Sequence, residues 1–318
     1  VTAEEVKGIL LGMASGQETL LGYFRRFIRN FEKRVGINRT VGSLRAYSNA
    51  YSHIERFLQA QYKLSDIPFS ALDRSFIDKY DLYLRTERNL APGTIINLTV
   101  QLKTIVGEAI ADGIITASPF MGYEPVRPKH VQKYLTAEEL HRIMTTPLHR
   151  QPLYHVRDMF LFSCFTGIPY GDMRLLTKDN LCLAEDGIWW IKSARQKTKI
   201  EFEIPLLDLP LQILKKYSGT APGDKLLPMY CNSTLNLYLK EIARICHIDR
   251  PLVFHAGRHT YATEITLSHG VPLETVSRML GHSQIETTQI YAKVTDEKID
   301  ADTKALNRKI SERFSVVI

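Results

Sequence analysis

Cysteine and long apolar runs are scarce in this 318-residue chain. Its four cysteines, Cys164, Cys182, Cys231 and Cys246, are widely spaced, with no C-x-x-C pair. That pattern fits reduced thiols in a cytosolic protein better than a disulfide framework or a zinc site. No apolar run approaches the ~20 residues that span a bilayer, so a membrane is not an expected partner. The opening residues, Val1-Thr2-Ala3-Glu4-Glu5, lack the basic segment and apolar core of a secretory signal. There is no internal repeat and no low-complexity segment.

What is present is a composition of 44% apolar and 24% charged residues, that of a soluble globular protein. The length suits about two domains of ordinary size. A net charge of +7 permits a polyanionic partner without requiring one.

The first expected domain is helical. Leu20, Leu21, Phe24, Phe27, Ile28 and Phe31 recur at the three-and-four spacing of one apolar face, and Gly36 is the expected stop. Ser43 precedes a second helix that carries Tyr47, Tyr51, Ile54, Phe57 and Leu58 inward. A third spans roughly 72–88, and a fourth runs over 94–112 after Pro92-Gly93. Residues 1–16, with a short helix over 3–11, are expected to be the remnant or linker of a further N-terminal domain. Residues 119–134 read as a basic linker broken by Pro119, Pro125 and Pro128. Thr136-x-x-Glu139 then predicts a capping box that opens the second domain, 135–318. There, helices are expected at 137, 152–165, 170–176, 207–217, 234–246, 257–268, 272–280, 284–293 and 296–308. A β region runs between them, over 181–183, 187–197 and 199–205. The fold class is mainly α with a small antiparallel β-sheet.

The chemistry-bearing residues concentrate late in the chain. His255-Ala256-Gly257-Arg258 is followed by Leu280-Gly281-His282 and by Tyr291, nine residues after the histidine. Any one of these is more often structural: most tyrosines pack their rings, and most lone histidines are surface or core groups. Together, at this spacing, they resemble the tyrosine recombinase, or phage-integrase, family. His255 and His259 are four apart like a zinc pair, but Ala256 stands where the metalloprotease motif has its glutamate, so no metal is expected. His259 reads as structural.

Cutting a DNA strand without a metal needs cations around the phosphate, a nucleophile that stores the bond energy, and a proton donor for the leaving oxygen. The resemblance implies Tyr291 as nucleophile, Arg258 as a bidentate phosphate fork, and His255 and His282 as donors to the same oxygens. Ser283-x-x-Glu286 predicts a capping box, with His282 at the helix entrance and Tyr291 two turns in. Lys197, at the end of the expected strand 189–197, is the implied general acid, although a solvated hairpin tip is the plainer reading. The window 187–200 holds Lys192, Arg195, Lys197 and Lys199 and no acid.

One position departs from the family. Thr166-Gly167-Ile168-Pro169-Tyr170-Gly171-Asp172 resembles a T-G-L-R-x-x-E/D context, but Pro169 occupies the place of the arginine. Either another arginine reaches in, or the chain binds DNA without cutting it. Arg195 is the first candidate, because alternate residues of a strand share a face with Lys197. Arg174 is the second, rotated away along the helix.

The resemblance further implies a SAM-like core-binding domain at 17–118, a C-shaped clamp on duplex DNA, and strand exchange through a 3′-phosphotyrosyl intermediate with no cofactor. It implies a tetrameric synapse on paired recombination sites of a mobile element, with accessory DNA-bending proteins as further partners. The expected DNA contacts are Arg39, Arg45, Tyr47, Lys103, Arg127, Lys129 and Lys133, whose plainer reading is a solvated surface. The apolar tail Phe314–Ile318 would pack on a neighbouring protomer or on its own domain. A non-cleaving DNA-binding regulator and a type IB topoisomerase-like relaxing enzyme are the alternative functions.

Overall fold

The computed structural model describes residues 17–127, 133–291 and 296–311. The expected helix over 3–11, Lys129 and the Phe314–Ile318 tail lie outside them. The chain divides into two compact units, Val1–His130 and Val131–Ile318.

Unit 1 is built from α1 (Leu20–Glu32), α2 (Val41–Phe57), α3 (Arg74–Thr86) and α4 (Pro92–Ala111). The apolar stripes meet in one core around Phe24, Ile54, Phe57, Tyr80, Ile95 and Leu102. The helix starts have identifiable caps. Thr40 accepts the Ser43 amide and Asp73 the Phe76 amide, while Pro92 sits at the first turn of α4. Thr19 makes no cap bond to α1; Asp66, from a distant loop, accepts the Leu21 and Gly22 amides at 2.8 and 3.0 Å. α1 ends at Glu32, short of the expected Gly36, because residues 33–39 close a turn in which the Arg34 carbonyl takes the amides of residues 37 to 39.

Unit 2 opens with the predicted capping box: Thr136 and Glu139 exchange side-chain bonds to each other's amides at the start of α5 (Ala137–Thr145). α6 (Gln151–Thr166) is almost wholly buried through its second half and forms the axis of the core. After it come the single turn α7 (Tyr170–Met173), then β1 (Leu181–Leu183), β2 (Trp189–Ala194) and β3 (Glu201–Pro205). The three strands form one antiparallel sheet in chain order, with Leu181, Ile191 and Ile204 in register on the core side. α8 (Asp208–Lys216) and α9 (Asn232–Ile245) follow.

Four expected elements differ. α7 ends at Met173 and not at 176. α10 (Ala256–Thr260) does not run on to 268 as one α-helix but widens into a π-turn over Tyr261–Thr266, where the Thr266 hydroxyl bonds the Tyr261 and Ala262 carbonyls. β2 stops at Ala194, not 197, because a turn closes there. α11 (Leu273–Leu280) is followed by α12, only Glu286–Gln289 rather than 284–293. The chain then describes α13 (Asp296–Ser311). Among the described residues no helix is long and apolar enough to cross a membrane.

Candidate active site

Two helix ends and one turn of unit 2 build the site. α6 ends in a left-handed glycine, Gly167 at φ +70°, whose amide returns to the Ser163 carbonyl at 2.9 Å. α11 ends the same way at Gly281, φ +64°. There the Gly281 amide bonds the Arg278 carbonyl and the His282 amide bonds the Ser277 carbonyl, at 3.0 and 3.1 Å, which is a Schellman motif. The motif overrides the expected Ser283–Glu286 capping box: α12 has no side-chain cap, His282 belongs to the end of α11, and Tyr291 lies in the turn after α12. A helix end leaves carbonyls without intrahelical partners and carries partial negative charge, so both ends are ready to hold cations.

Arg258 takes up that offer. Gly257 lets α10 lie against α6, since a Cβ there would stand 2.8 Å from Ser163 Oγ. The Arg258 side chain, 3% exposed, donates from Nη1 to the Gly167 carbonyl at 2.9 Å and from Nη2 to the Leu280 carbonyl at 2.6 Å. Arg195 Nη1 donates to the same Leu280 carbonyl at 2.9 Å. Two guanidiniums therefore converge on one oxygen. Asp172, on α7, secures the second: its Oδ1 accepts the Gln196 amide at 2.8 Å and its Oδ2 lies 2.6 Å from Arg195 Nε. That last contact is an ion pair rather than a hydrogen bond, because its alignment leaves both atoms without a hydrogen-bond partner.

Arg195 does not reach the site by the expected route. It lies past the end of β2, in a turn closed by Arg195 N to Ile200 O and Lys199 N to Arg195 O, both at 2.8 Å. The turn breaks the strand alternation, so Arg195 turns inward while Lys197 stays exposed outside the buried cluster. Pro169 starts α7 from extended backbone, and Arg174 is exposed at the end of that turn.

The aromatic half of the site is His255, His259, His282 and Tyr291. His282 Nε2 stands 2.9 Å from Arg258 Nη2 and Nδ1 stands 2.7 Å from Thr288 Oγ1. Tyr291, 8% exposed, stacks on His282 with ring centroids 6.3 Å apart and meets the His259 ring edge-on at 5.2 Å. His259 in turn packs against His255 at 4.9 Å. His259 thus touches two candidate residues, and its structural reading becomes a contact inside the site.

Burial and like charge set the ionisation. Burial, then the Arg195 charge, pulls the Arg258 guanidinium down to about 10. Burial pulls His282 to about 4, helped by Arg258 and Arg195, and His259 to about 4, helped by His255 and Lys133. His255 retains solvent-exposed surface, yet the desolvation of its ring and the Arg258 charge lower it too. Burial raises the Tyr291 phenol, while Arg258, by charge and hydrogen bond, and Arg195 pull it back. At neutral pH His259 and His282 are uncharged, and two cations face one carboxylate. An anion entering here would relieve a repulsion already present. Among the described residues no group of three His, Cys, Asp or Glu side chains is placed to hold a metal ion.

The remaining candidates are surface groups. In unit 1, Arg45, Lys103 and Arg127 are exposed, and Arg39 lies over the Phe31 ring at 5.2 Å. Tyr47 is half-buried, its ring 5.0 Å from those of Phe27 and Phe31. Lys133 is exposed in unit 2. Two residues of the site escaped the sequence reading. Asp172 carried a usable signal, since it fills the acidic position of the T-G-L-R-x-x-E/D context; Thr288 carried none.

A model of the phage integrase family matches residues 133–298, and one of the phage integrase SAM-like domain matches residues 19–125. Tyrosine recombinase XerD of Listeria monocytogenes is 26% identical over 273 residues, which is 80% of this chain and 89% of the relative. XerD of Chlorobaculum tepidum is 28% identical over 190 residues, 54% of this chain and 60% of its own. The Tn1549 transposon integrase, solved in complex with transposon right end DNA, superposes with a TM-score of 0.69 at 19% identity, covering 91% of this chain and 99% of that one. A lambda integrase dimer bound to a COC′ core site superposes at 0.70 and 18% identity, covering 88% and 100%.

Proposed function

The chain belongs to the phage integrase family and is a tyrosine site-specific recombinase; from that premise we propose how its own residues cut and rejoin DNA. Tyr291 attacks the scissile phosphate and forms a 3′-phosphotyrosyl link, releasing a 5′-hydroxyl. Arg258 and Arg195 hold the two non-bridging oxygens, and Arg195 supplies the charge that Pro169 cannot. The observation that carries this reading is the pair of guanidiniums meeting at the Leu280 carbonyl beside Tyr291. A phosphate oxygen brought beside that carbonyl would face both guanidiniums, already ordered and largely dry, so little reorganisation accompanies the charge build-up of the transition state.

His255 and His282 complete the ring of donors. Lys197, two residues beyond Arg195 on the same exposed turn, delivers the proton to the leaving oxygen once DNA is bound. Residues 17–118 grip the duplex through Arg39, Arg45, Tyr47 and Lys103, and Arg127, Lys129 and Lys133 contact its backbone. Lambda integrase was solved as a tetramer bound to a Holliday junction, which supports a tetrameric synapse for this chain. Likeness to the Tn1549 integrase supports integration and excision of a mobile element as its task.

The test is trapping on a nicked suicide site. Wild type accumulates a covalent protein–DNA complex, and Tyr291→Phe binds the site with unchanged affinity but forms none. An adduct that persists in Tyr291→Phe overturns the assignment, and affinity without any adduct in wild type would leave a DNA-binding regulator.

A further inference from the structure

Thr288 lies in α12, three residues before Tyr291, and is wholly buried. Its carbonyl accepts the Tyr291 amide at 3.0 Å, and its Oγ1 meets His282 Nδ1 at 2.7 Å. One residue therefore ties the backbone of the tyrosine to the ring of the histidine.

The opposite edge of that ring decides where its proton sits. Nε2 faces Arg258 Nη2 at 2.9 Å. A guanidinium has only donors, so Nε2 must be the acceptor, and a neutral His282 carries its proton on Nδ1. Thr288 Oγ1 is then the acceptor for that proton. The other groups facing the ring are Arg195, from the turn after β2, and Tyr291, stacked upon it. The carboxylate of the network, Asp172, is engaged with Arg195.

We propose that Thr288 is a positioning residue that keeps His282 protonated at Nδ1, so that every proton His282 gains or gives up moves at Nε2, the atom facing the reaction centre. The proposal rests on the placing of Arg258 and Tyr291 at that centre. In the DNA-free chain the Nε2 lone pair takes an Arg258 N–H. When a phosphate oxygen takes over that N–H, Nε2 is freed. It accepts one proton from solvent and donates the new N–H to a non-bridging oxygen, with the phosphate charge favouring the imidazolium so formed. Thr288 accepts the Nδ1–H in both forms, so the ring need not flip. Without it, Arg258 alone disfavours the Nε2–H form, and the Nδ1–H loses its acceptor, so the two tautomers come closer in energy.

The direct test reads the tautomer. Long-range ¹H–¹⁵N correlation at His282 in the full DNA-free chain should show a protonated Nδ1 and an unprotonated Nε2, in wild type and in Thr288→Ser. Thr288→Val keeps the volume and removes the acceptor, and should populate the Nε2–H form. In adduct formation on nicked DNA, Thr288→Val should be slower by about ten- to a hundredfold, the weight of one hydrogen bond to a charged group. Its alkaline limb should move down by about one pH unit, because the imidazolium loses more than the neutral ring, while Thr288→Ser follows wild type. An Nε2–H tautomer in wild type overturns the proposal, and so does a Thr288→Val protein with the wild-type tautomer and pH profile. Tyr291→Phe separates the two levels: adduct lost there but Thr288→Val unshifted removes only the role of Thr288, whereas adduct retained there removes the site assignment itself.

Discussion

The cations of the two units live under opposite conditions. Arg45, Lys103 and Arg127 are exposed on the helical unit. Arg258 and Arg195 are held by carbonyls, Arg258 at 3% exposure, and Arg258 is displaced from its usual ionisation by burial and by the other guanidinium. Exposed cations act on a polyanion by number: each releases counterions, each is screened by salt, and none needs an exact position. A buried pair acts by geometry. Its desolvation is offset by two helix C-termini and one carboxylate, and the charge left over is aimed at a single point. Losses in the first set should therefore be small and additive, and losses in the second large and cooperative.

The widest separation comes from Tyr291→Phe. Covalent adduct should fall by on the order of 10⁴-fold or more while DNA affinity holds, as measured by suicide-substrate trapping beside equilibrium binding. A parallel loss of affinity would mean that the tyrosine serves binding as much as chemistry.

Next is Gly281→Ala. The backbone there is left-handed, and a Cβ would stand 2.9 Å from Arg195 Cγ. The change should cost about 1–2 kcal/mol of stability and should also displace Arg195, so cleavage falls while thermal unfolding shifts by only several degrees. Cleavage at the wild-type rate would show that Arg195 has no fixed place.

Acid should weaken the site selectively. The folded-state values of His282 and His259 are pulled from 6.5 to about 4. The unfolded chain therefore takes up protons first as pH falls, and the stability present above pH 6.5 is lost progressively toward pH 4. Melting temperature followed over that range should fall in wild type and less steeply in His282→Gln. Equal slopes would mean that His282 titrates freely in the folded protein.

The smallest effects belong to the surface. Arg45→Ala and Lys103→Ala should each weaken binding only modestly and reduce the salt slope of log K by about 1. Cleavage at saturating DNA should not change. A fall in the saturated rate would break the contrast between the two units.

How much of this the sequence could carry follows from the range of each interaction. Helix faces and the Thr136–Glu139 box are written within a few residues, and the structure has them. The His255–Arg258–His282–Tyr291 grouping is legible only through its resemblance to the phage-integrase family. What local reading missed depends on competition between ends: Gly281 draws His282 into the cap of α11, so the Ser283–Glu286 pair never closes around a helix. Arg195 meets Leu280 across 85 residues, brought in by a turn past the end of β2 and not by a strand face shared with Lys197. Thr288 was illegible because a threonine in a short helix has many uses, and only the position of a histidine six residues earlier selects this one.

The proposed replacement of the arginine absent at Pro169 by Arg195 is tested most directly by the single-turnover rate of adduct formation on nicked DNA at saturation, in wild type, Arg195→Ala and Arg174→Ala. Arg195→Ala should lose on the order of 10³-fold, and Arg174→Ala should stay close to wild type. Wild-type cleavage by Arg195→Ala would show that another group supplies the charge.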